Sequence, residues 1–449
     1  MFALGVGGFF AYNAPAPAVA QELTPQQRAV LQAEYDQLQK EIAEWQKVLD
    51  ETQAKKNTLK GDVSALTAQI NKATAEIKQR NVVITQLSTQ IAQKNKTVAT
   101  LNARLTAGQE SLAKILREKS ERDSTPLVVL ALSSGSLSDF FGTVDDLDTL
   151  NGALQEHFDD LRGIKKQTEE EKAALAKQQN AQLDARYQVQ VKEKQITADK
   201  TEKNKLLAAT TKQEQGYAQI LAERQKRADE IRNALFDLRD AGGISFESAL
   251  NYATVAGAKT GVRPAMILAI LSQESDLGKN IGSCLVTNLE TGNGVGKNTG
   301  SAFEKVMKAP RDTEPFQTVT AALGLNWAST PVSCPLGKVY SAGRGYGGGM
   351  GPSQFIPSTW VLFEPRLKVA LGVGTPNPWN PQDAIMATSL YLKDLGAAAG
   401  TYTAERNAAC KYYSGRSCDS RTPTNYTYGN AVVAKAETFQ NNIDFLKDN

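Results

Sequence analysis

The chain has 449 residues, 51 Lys plus Arg against 48 Asp plus Glu, and a formal net charge of +3. That length admits two or three domains, and so even a charge balance gives no ground for a nucleic-acid partner. One histidine, His157, lies in a charged helical stretch, which removes Ser-His-Asp triads, Cys-His pairs and His-rich zinc sites; no metal and no cofactor are expected.

Residues Phe2 to Tyr12 are apolar and small, and Ala18 and Ala20 stand in A-x-A spacing before Gln21. The pattern predicts a secretion signal over residues 1–20, and so an exported protein of the cell envelope, periplasmic or extracellular. No Lys or Arg precedes Arg28, so the basic start of such a signal is missing; a plain tail is the other reading.

From Leu31 to Ile115 apolar residues recur at alternating steps of four and three, broken only at Thr52, Lys56, Arg80, Lys94 and Gly108. A seven-residue repeat of this length predicts one long coiled-coil helix that needs a partner. Ser124-Thr125-Pro126 breaks the helix. An apolar run, Leu127 to Leu132, comes next, then Ser133 to Phe141 and a second charged helical stretch to about Asp240. Two comparable lengths around a break predict an antiparallel coiled-coil hairpin over 21–240, with a parallel homodimer as the alternative. The tip near 124–142 reads equally as a self-packed cap or as a docking patch.

A hairpin with the break Leu130-Ala-Leu-Ser-Ser-Gly-Ser-Leu-Ser-Asp-Phe-Phe141 resembles the coiled-coil domains of EnvC, PcsB and CwlO/RipC-type regulators of cell-wall hydrolases. The resemblance implies a partner at the tip: the extracellular part of an FtsE–FtsX-type cell-division transporter.

Gly242-Gly243 marks the boundary and allows a swivel by which the coil gates or positions the C-terminal domain. Beyond it lie all four cysteines, Cys284, Cys334, Cys410 and Cys418. Four cysteines in an exported chain permit three pairings; joining neighbours gives Cys284–Cys334 and Cys410–Cys418.

Two stretches of the 241–449 domain carry chemistry. In Arg263-Pro-Ala-Met-Ile-Leu-Ala-Ile-Leu-Ser-Gln-Glu274-Ser-Asp-Leu-Gly278, Pro264 suits a first helical turn and the apolar run predicts a buried helix. Glu274 comes directly after that run. A carboxyl in apolar surroundings holds its proton to higher pH, which suits a general acid. A role-free Glu at a helix end is the plain alternative. Gly343-Arg-Gly-Tyr346-Gly-Gly-Gly-Met350-Gly-Pro-Ser-Gln354-Phe355-Ile-Pro-Ser-Thr-Trp360 is a glycine-rich turn feeding a helix. Tyr346, Phe355 and Trp360 offer flat faces for sugars, and Gln354 offers a donor and an acceptor; a structural turn with core aromatics is the alternative.

These two strings together, with Asn377-Pro-Trp379-Asn-Pro-Gln-Asp383, Lys411-Tyr412-Tyr413-Ser-Gly415 and Tyr428-Gly-Asn-Ala-Val-Val433, closely resemble the MltB-type lytic transglycosylases of the lysozyme-like superfamily. The resemblance covers about residues 245–440. It implies an all-α chain: a coiled-coil hairpin followed by a lysozyme-like, mainly helical catalytic domain. It places the single catalytic acid on Glu274 and substrate contacts on Tyr346, Met350, Gln354, Phe355, Tyr412, Tyr413 and Tyr428. Pro381 and Asp383 would start a helix. This sequence departs from the family at Tyr413, where Asn is usual, and at Gly345, where Ser is frequent.

The implied substrate is peptidoglycan, cut between N-acetylmuramic acid and N-acetylglucosamine to leave a 1,6-anhydro end. The alternatives are a muramidase, drawing a second carboxylate from Glu290, Glu304 or Glu314, and a non-catalytic glycan-binding regulator of another wall hydrolase.

Overall fold

The computed structural model describes residues 25–53, 58–123, 137–210, 219–226, 229–230, 243–335, 345–419, 421 and 424–448. The expected signal at 1–20, the apolar run Leu127–Leu132, residues 240–242 of the boundary, and Gly343 and Arg344 lie outside the described residues, as do the side chains of Leu137 to Phe141. The chain divides into two compact units, Met1–Asn204 and Lys205–Asn449. The described residues are mainly helical, with three short strands, which agrees with the all-α class. None of the described helices is long and apolar enough to cross a membrane.

Among the described residues, three helices build the first unit: α1 (Pro25–Gln53), α2 (Leu59–Asp123) and α3 (Leu137–Thr210), the last continuing past Asn204. The seam from Leu31 to Ile115 is therefore not one helix, as the heptads suggested. Thr58, just past the seam breaks at Thr52 and Lys56, is a bend outside any helix. Thr58 then restarts the chain: its hydroxyl accepts from the Gly61 N–H at 3.1 Å, and its carbonyl accepts from the Asp62 N–H, as a helix N-cap does. Lys72 of α2 reaches Gln46 of α1.

Two of the other breaks in the seam, Lys94 and Gly108, mark places where α2 meets α3. Lys94 pairs with Glu171 at 2.6 Å. At Gly108 the missing side chain leaves room for Leu161, whose Cδ2 lies 2.4 Å from where a Cβ would stand. His157 also bonds the Gly108 carbonyl at 3.2 Å, so it serves a helix contact rather than solvent alone. Further partners are Ser88 with Gln182 at 2.6 Å and Glu76 with Lys192 at 2.9 Å. Along these pairs the α2 numbers rise as the α3 numbers fall, so the two helices run in opposite directions.

The second unit contains α4 (Phe246–Thr260), α5 (Pro264–Ser275), β1 (Cys284–Val286), β2 (Gly294–Gly296), β3 (Ala302–Phe303), α6 (Thr313–Ala322), α7 (Pro357–Leu371), α8 (Pro381–Asp394), α9 (Tyr402–Ser414) and α10 (Tyr426–Asp448). The strands form one antiparallel sheet in the order β1-β2-β3, with Cys284 opposite Gly296 and Gly294 opposite Phe303.

Helix α5 is the axis of this unit. Every residue from Ala265 to Leu271 is fully buried, which a helix apolar on all sides requires. It packs against α4, α8 and α10. Pro264 opens it at the first turn, as expected. The preceding residue, Arg263, makes a bidentate ion pair with Glu405 of α9, at 2.5 and 2.7 Å. Glu405 is 1% exposed, so the guanidinium is the partner held against a buried carboxyl. Helix α8 starts at Pro381, as expected, with Asn380 as its cap.

Both disulfides join neighbouring cysteines, as the sequence suggested. Cys284–Cys334 ties β1 to the segment before the glycine-rich turn, and Cys410–Cys418 closes the end of α9.

Breaking the buried pair tests how α5 is anchored. Arg263→Ala should lower the free energy of unfolding by roughly 3–5 kcal/mol, because it strands a buried carboxylate. Chemical denaturation should show Arg263→Ala with Glu405→Leu recovering much of that loss.

Candidate active site

Glu274 occupies the last turn of α5, directly after the buried run, and is itself half-buried. The helix cannot continue past it. Asp276 and Leu277 both adopt left-handed backbone, with φ of 51° and 54°, and their N–H groups return to the Leu271 and Ser272 carbonyls. Left-handed non-glycine residues are costly and persist only where surroundings hold them. The 1% exposed Leu277 and the Ser275 hydroxyl do so here. That hydroxyl accepts from the Gly278 N–H at 2.9 Å and donates to the Pro352 carbonyl at 2.6 Å.

Pro352 belongs to the glycine-rich turn, so Ser275 joins the Glu274 helix to that turn. The turn is clamped from its other sides too. Ser353 donates to the Ala384 carbonyl of α8 at 2.8 Å and accepts from Thr388 at 2.7 Å. The Tyr412 hydroxyl of α9 donates to the Ser353 carbonyl at 2.7 Å. Glycine is obligatory at Gly351, where φ is 60° and a Cβ would stand 1.9 Å from the Pro378 carbonyl oxygen. At Gly347 a Cβ would stand 2.2 Å from the Ser333 carbonyl oxygen.

The carboxyl has two neighbours on α10. The Tyr428 hydroxyl donates to Glu274 Oε1. Lys435, seven residues on and half-buried, acts on Glu274 through its charge. Burial is the largest influence and raises the Glu274 carboxyl above its usual range; Tyr428 and Lys435 oppose that rise. A helix C-terminus adds to it, since the negative end of the dipole disfavours a carboxylate. Burial, and secondarily Glu274, pushes the Tyr428 phenol well above the usual tyrosine value, so it stays a donor. Tyr412 behaves likewise, for the same leading causes.

The seven expected substrate contacts separate into two groups. Tyr346, Tyr413, Tyr428, Tyr412 and Gln354 retain partial or full exposure. Tyr346 is 43% exposed, and its ring lies 6.0 Å from the Lys308 ammonium. The Tyr413 ring stacks on Tyr428 at 4.7 Å. The Gln354 amide nitrogen is already bonded to the Gly351 carbonyl at 2.8 Å, on a backbone with φ of 54°.

Met350 and Phe355 need correction. They are 0% and 4% exposed, and their backbones bridge each other. Phe355 sits among Trp360, Phe363, Tyr391 and Tyr412. These side chains support the turn from beneath and offer no open face. Trp360, also read as a sugar face, is fully buried.

Sequence reading missed Ser275, Ser353, Thr388 and Lys435. Lys435 was within reach: seven residues past Tyr428 on one helix puts both on the same side. The other three are small hydroxyls whose role depends on contacts distant in sequence.

Of the carboxylates proposed as a second acid, Glu290, Glu304 and Glu314 are all exposed. Asp276 is exposed and paired with Lys279 at 3.2 Å. Among the described residues, Tyr428 and Lys435 are the side chains that act on the Glu274 charge. Among the described residues, no group of three or more His, Cys, Asp or Glu is placed to hold a metal ion. No protein-family model, curated protein or solved structure matches the chain.

Tyr428→Phe removes the hydrogen bond that lowers the Glu274 pKa while leaving the ring. Infrared titration of the carboxyl should therefore place its midpoint above that of the wild type; a midpoint at or below it would contradict this account of the site.

Proposed function

We propose that the chain is an exported peptidoglycan lytic transglycosylase with Glu274 as its single catalytic acid. One observation carries the reading: a half-buried carboxyl at the end of a buried helix, raised above its normal range and bonded by a phenol, with Tyr428 and Lys435 as the side chains that act on it among the described residues. The motif resemblance points the same way.

The chemistry stems from those groups. Glu274 begins protonated and gives its proton to the oxygen linking N-acetylmuramic acid to N-acetylglucosamine. The bond from that oxygen to the muramyl C1 breaks, and the N-acetylglucosamine side leaves with the proton. Glu274 is now a carboxylate, and Tyr428 and Lys435 stabilise it in that state. It takes the proton of the muramyl C6 hydroxyl, whose oxygen closes on C1. The acid is restored and no water is consumed. An ordinary glycosidase needs a second carboxylate on the other side of the sugar ring; an intramolecular hydroxyl removes that need. This favours the lyase over the muramidase.

In this reading the 241–449 domain has a lysozyme-like arrangement, and the glycine-rich turn with Tyr346, Gln354 and Tyr413 receives the glycan. The helices before it form a coiled-coil hairpin that positions or gates the enzyme, with an FtsE–FtsX-type transporter as the partner at its tip. The two disulfides suit an oxidising compartment outside the cytoplasm.

Purified cell-wall sacculi provide the test. The wild type should release soluble fragments. Glu274→Gln should release them roughly 10²–10⁴-fold more slowly while still sedimenting with the wall. Equal release by both forms would remove Glu274 from the chemistry, and no release by the wild type would overturn the enzymatic reading.

A further inference from the structure

Tyr412 and Tyr413 are adjacent on α9, and a helix turns about 100° per residue, so they serve different surfaces. Tyr412 turns inward to the Ser353 carbonyl. Tyr413 turns outward and remains 45% exposed. Its ring lies nearly parallel to that of Tyr428, 4.7 Å between centroids and 14° between planes. Tyr428 in turn bonds Glu274.

The stack is built into the helix pair rather than being an incidental surface contact. Beside Tyr428, Gly429 has no side chain, and a Cβ there would stand 2.4 Å from the Cys410 sulfur and 3.1 Å from that of Cys418. Helix α10 therefore lies directly against the Cys410–Cys418 disulfide of α9. One residue further, Asn430 accepts from Arg406 Nε of α9 at 2.6 Å. These ties directly follow Tyr428 and hold α10 against α9 where the two rings meet. The Tyr413 hydroxyl makes no hydrogen bond to the described residues, so what it contributes is its flat ring.

We infer that Tyr413 is a positioning residue for Glu274: its ring is the outer layer of a two-ring stack that keeps water from the Tyr428–Glu274 hydrogen bond. The groups that face this bond are few. Tyr428 and Lys435 come from α10 and Tyr412 from α9; Tyr391 of α8 stands behind Tyr412 at 5.2 Å. Burial is the leading reason that Glu274 holds its proton, and the Tyr428 bond opposes it. Removing the outer ring admits water and lowers the carboxyl midpoint. If Tyr413 only steered the Tyr428 hydroxyl, its removal would loosen the bond and raise the midpoint instead. The direction of the shift separates the two roles.

The inference deepens the proposed reading of Glu274 as the acid, but its test needs no turnover. The full chain, labelled with carbon-13 at glutamate Cδ, is titrated by infrared or magnetic resonance spectroscopy, with Glu274→Gln assigning the signal. Tyr413→Asn should lower the Glu274 midpoint by on the order of one pH unit, and Tyr413→Phe should titrate with the wild type. Tyr413→Ala serves if Tyr413→Asn loses its near-ultraviolet circular dichroism. A midpoint in Tyr413→Asn or Tyr413→Ala at or above the wild-type value, or a Tyr413→Phe midpoint that falls with them, overturns the inference. If the midpoints move as stated but the wild type cuts no glycan, the enzymatic reading fails and the shielding role stands.

Discussion

A carboxyl at the end of a helix that is apolar on every side is the constraint around which the second unit is arranged. Helix α5 must be surrounded to be stable, and surrounding it also withdraws Glu274 from water. The Arg263–Glu405 pair anchors its start to α9. The Ser275 hydroxyl anchors its end to the glycine-rich turn. The site is therefore a consequence of packing the central helix, with α10 supplying the phenol and the ammonium that restrain the carboxyl.

The local parts of the site were legible in the sequence. Pro264 before seven apolar residues announced a buried helix, and the position of Glu274 at its end announced a perturbed acid. The glycine spacing from Gly343 to Gly351 announced close backbone approach. What could not be read was direction. Met350, Phe355 and Trp360 have the composition of a sugar platform, yet they point into the core, where Phe355 completes an aromatic cluster with Tyr391 and Tyr412. A residue type tells what a side chain can do; its neighbours across the fold decide which side it faces. The clamp by Ser275, Ser353 and Thr388 was invisible for the same reason.

The first unit offers a parallel case. Its heptad seam correctly implied helices that need partners. Some of the residues that interrupted the seam carried more information than the repeat did. Thr52 and Lys56 come shortly before Thr58, which caps the next helix. Lys94 and Gly108 mark ion-pair and packing points against α3. Periodicity alone does not distinguish a break in a helix from a polar contact within one; the Thr58 hydroxyl that accepts from the Gly61 N–H does.

The central claim is that Glu274 acts alone, with the substrate's own C6 hydroxyl in place of water. Mass spectrometry of the fragments released from purified peptidoglycan tests it most directly. Muramyl ends lighter by one water than hydrolysed ends would match the predicted 1,6-anhydro product. Reducing muramyl ends would contradict the account, because they require an activated water and hence a second group beside Glu274, where the described residues place only Tyr428 and Lys435.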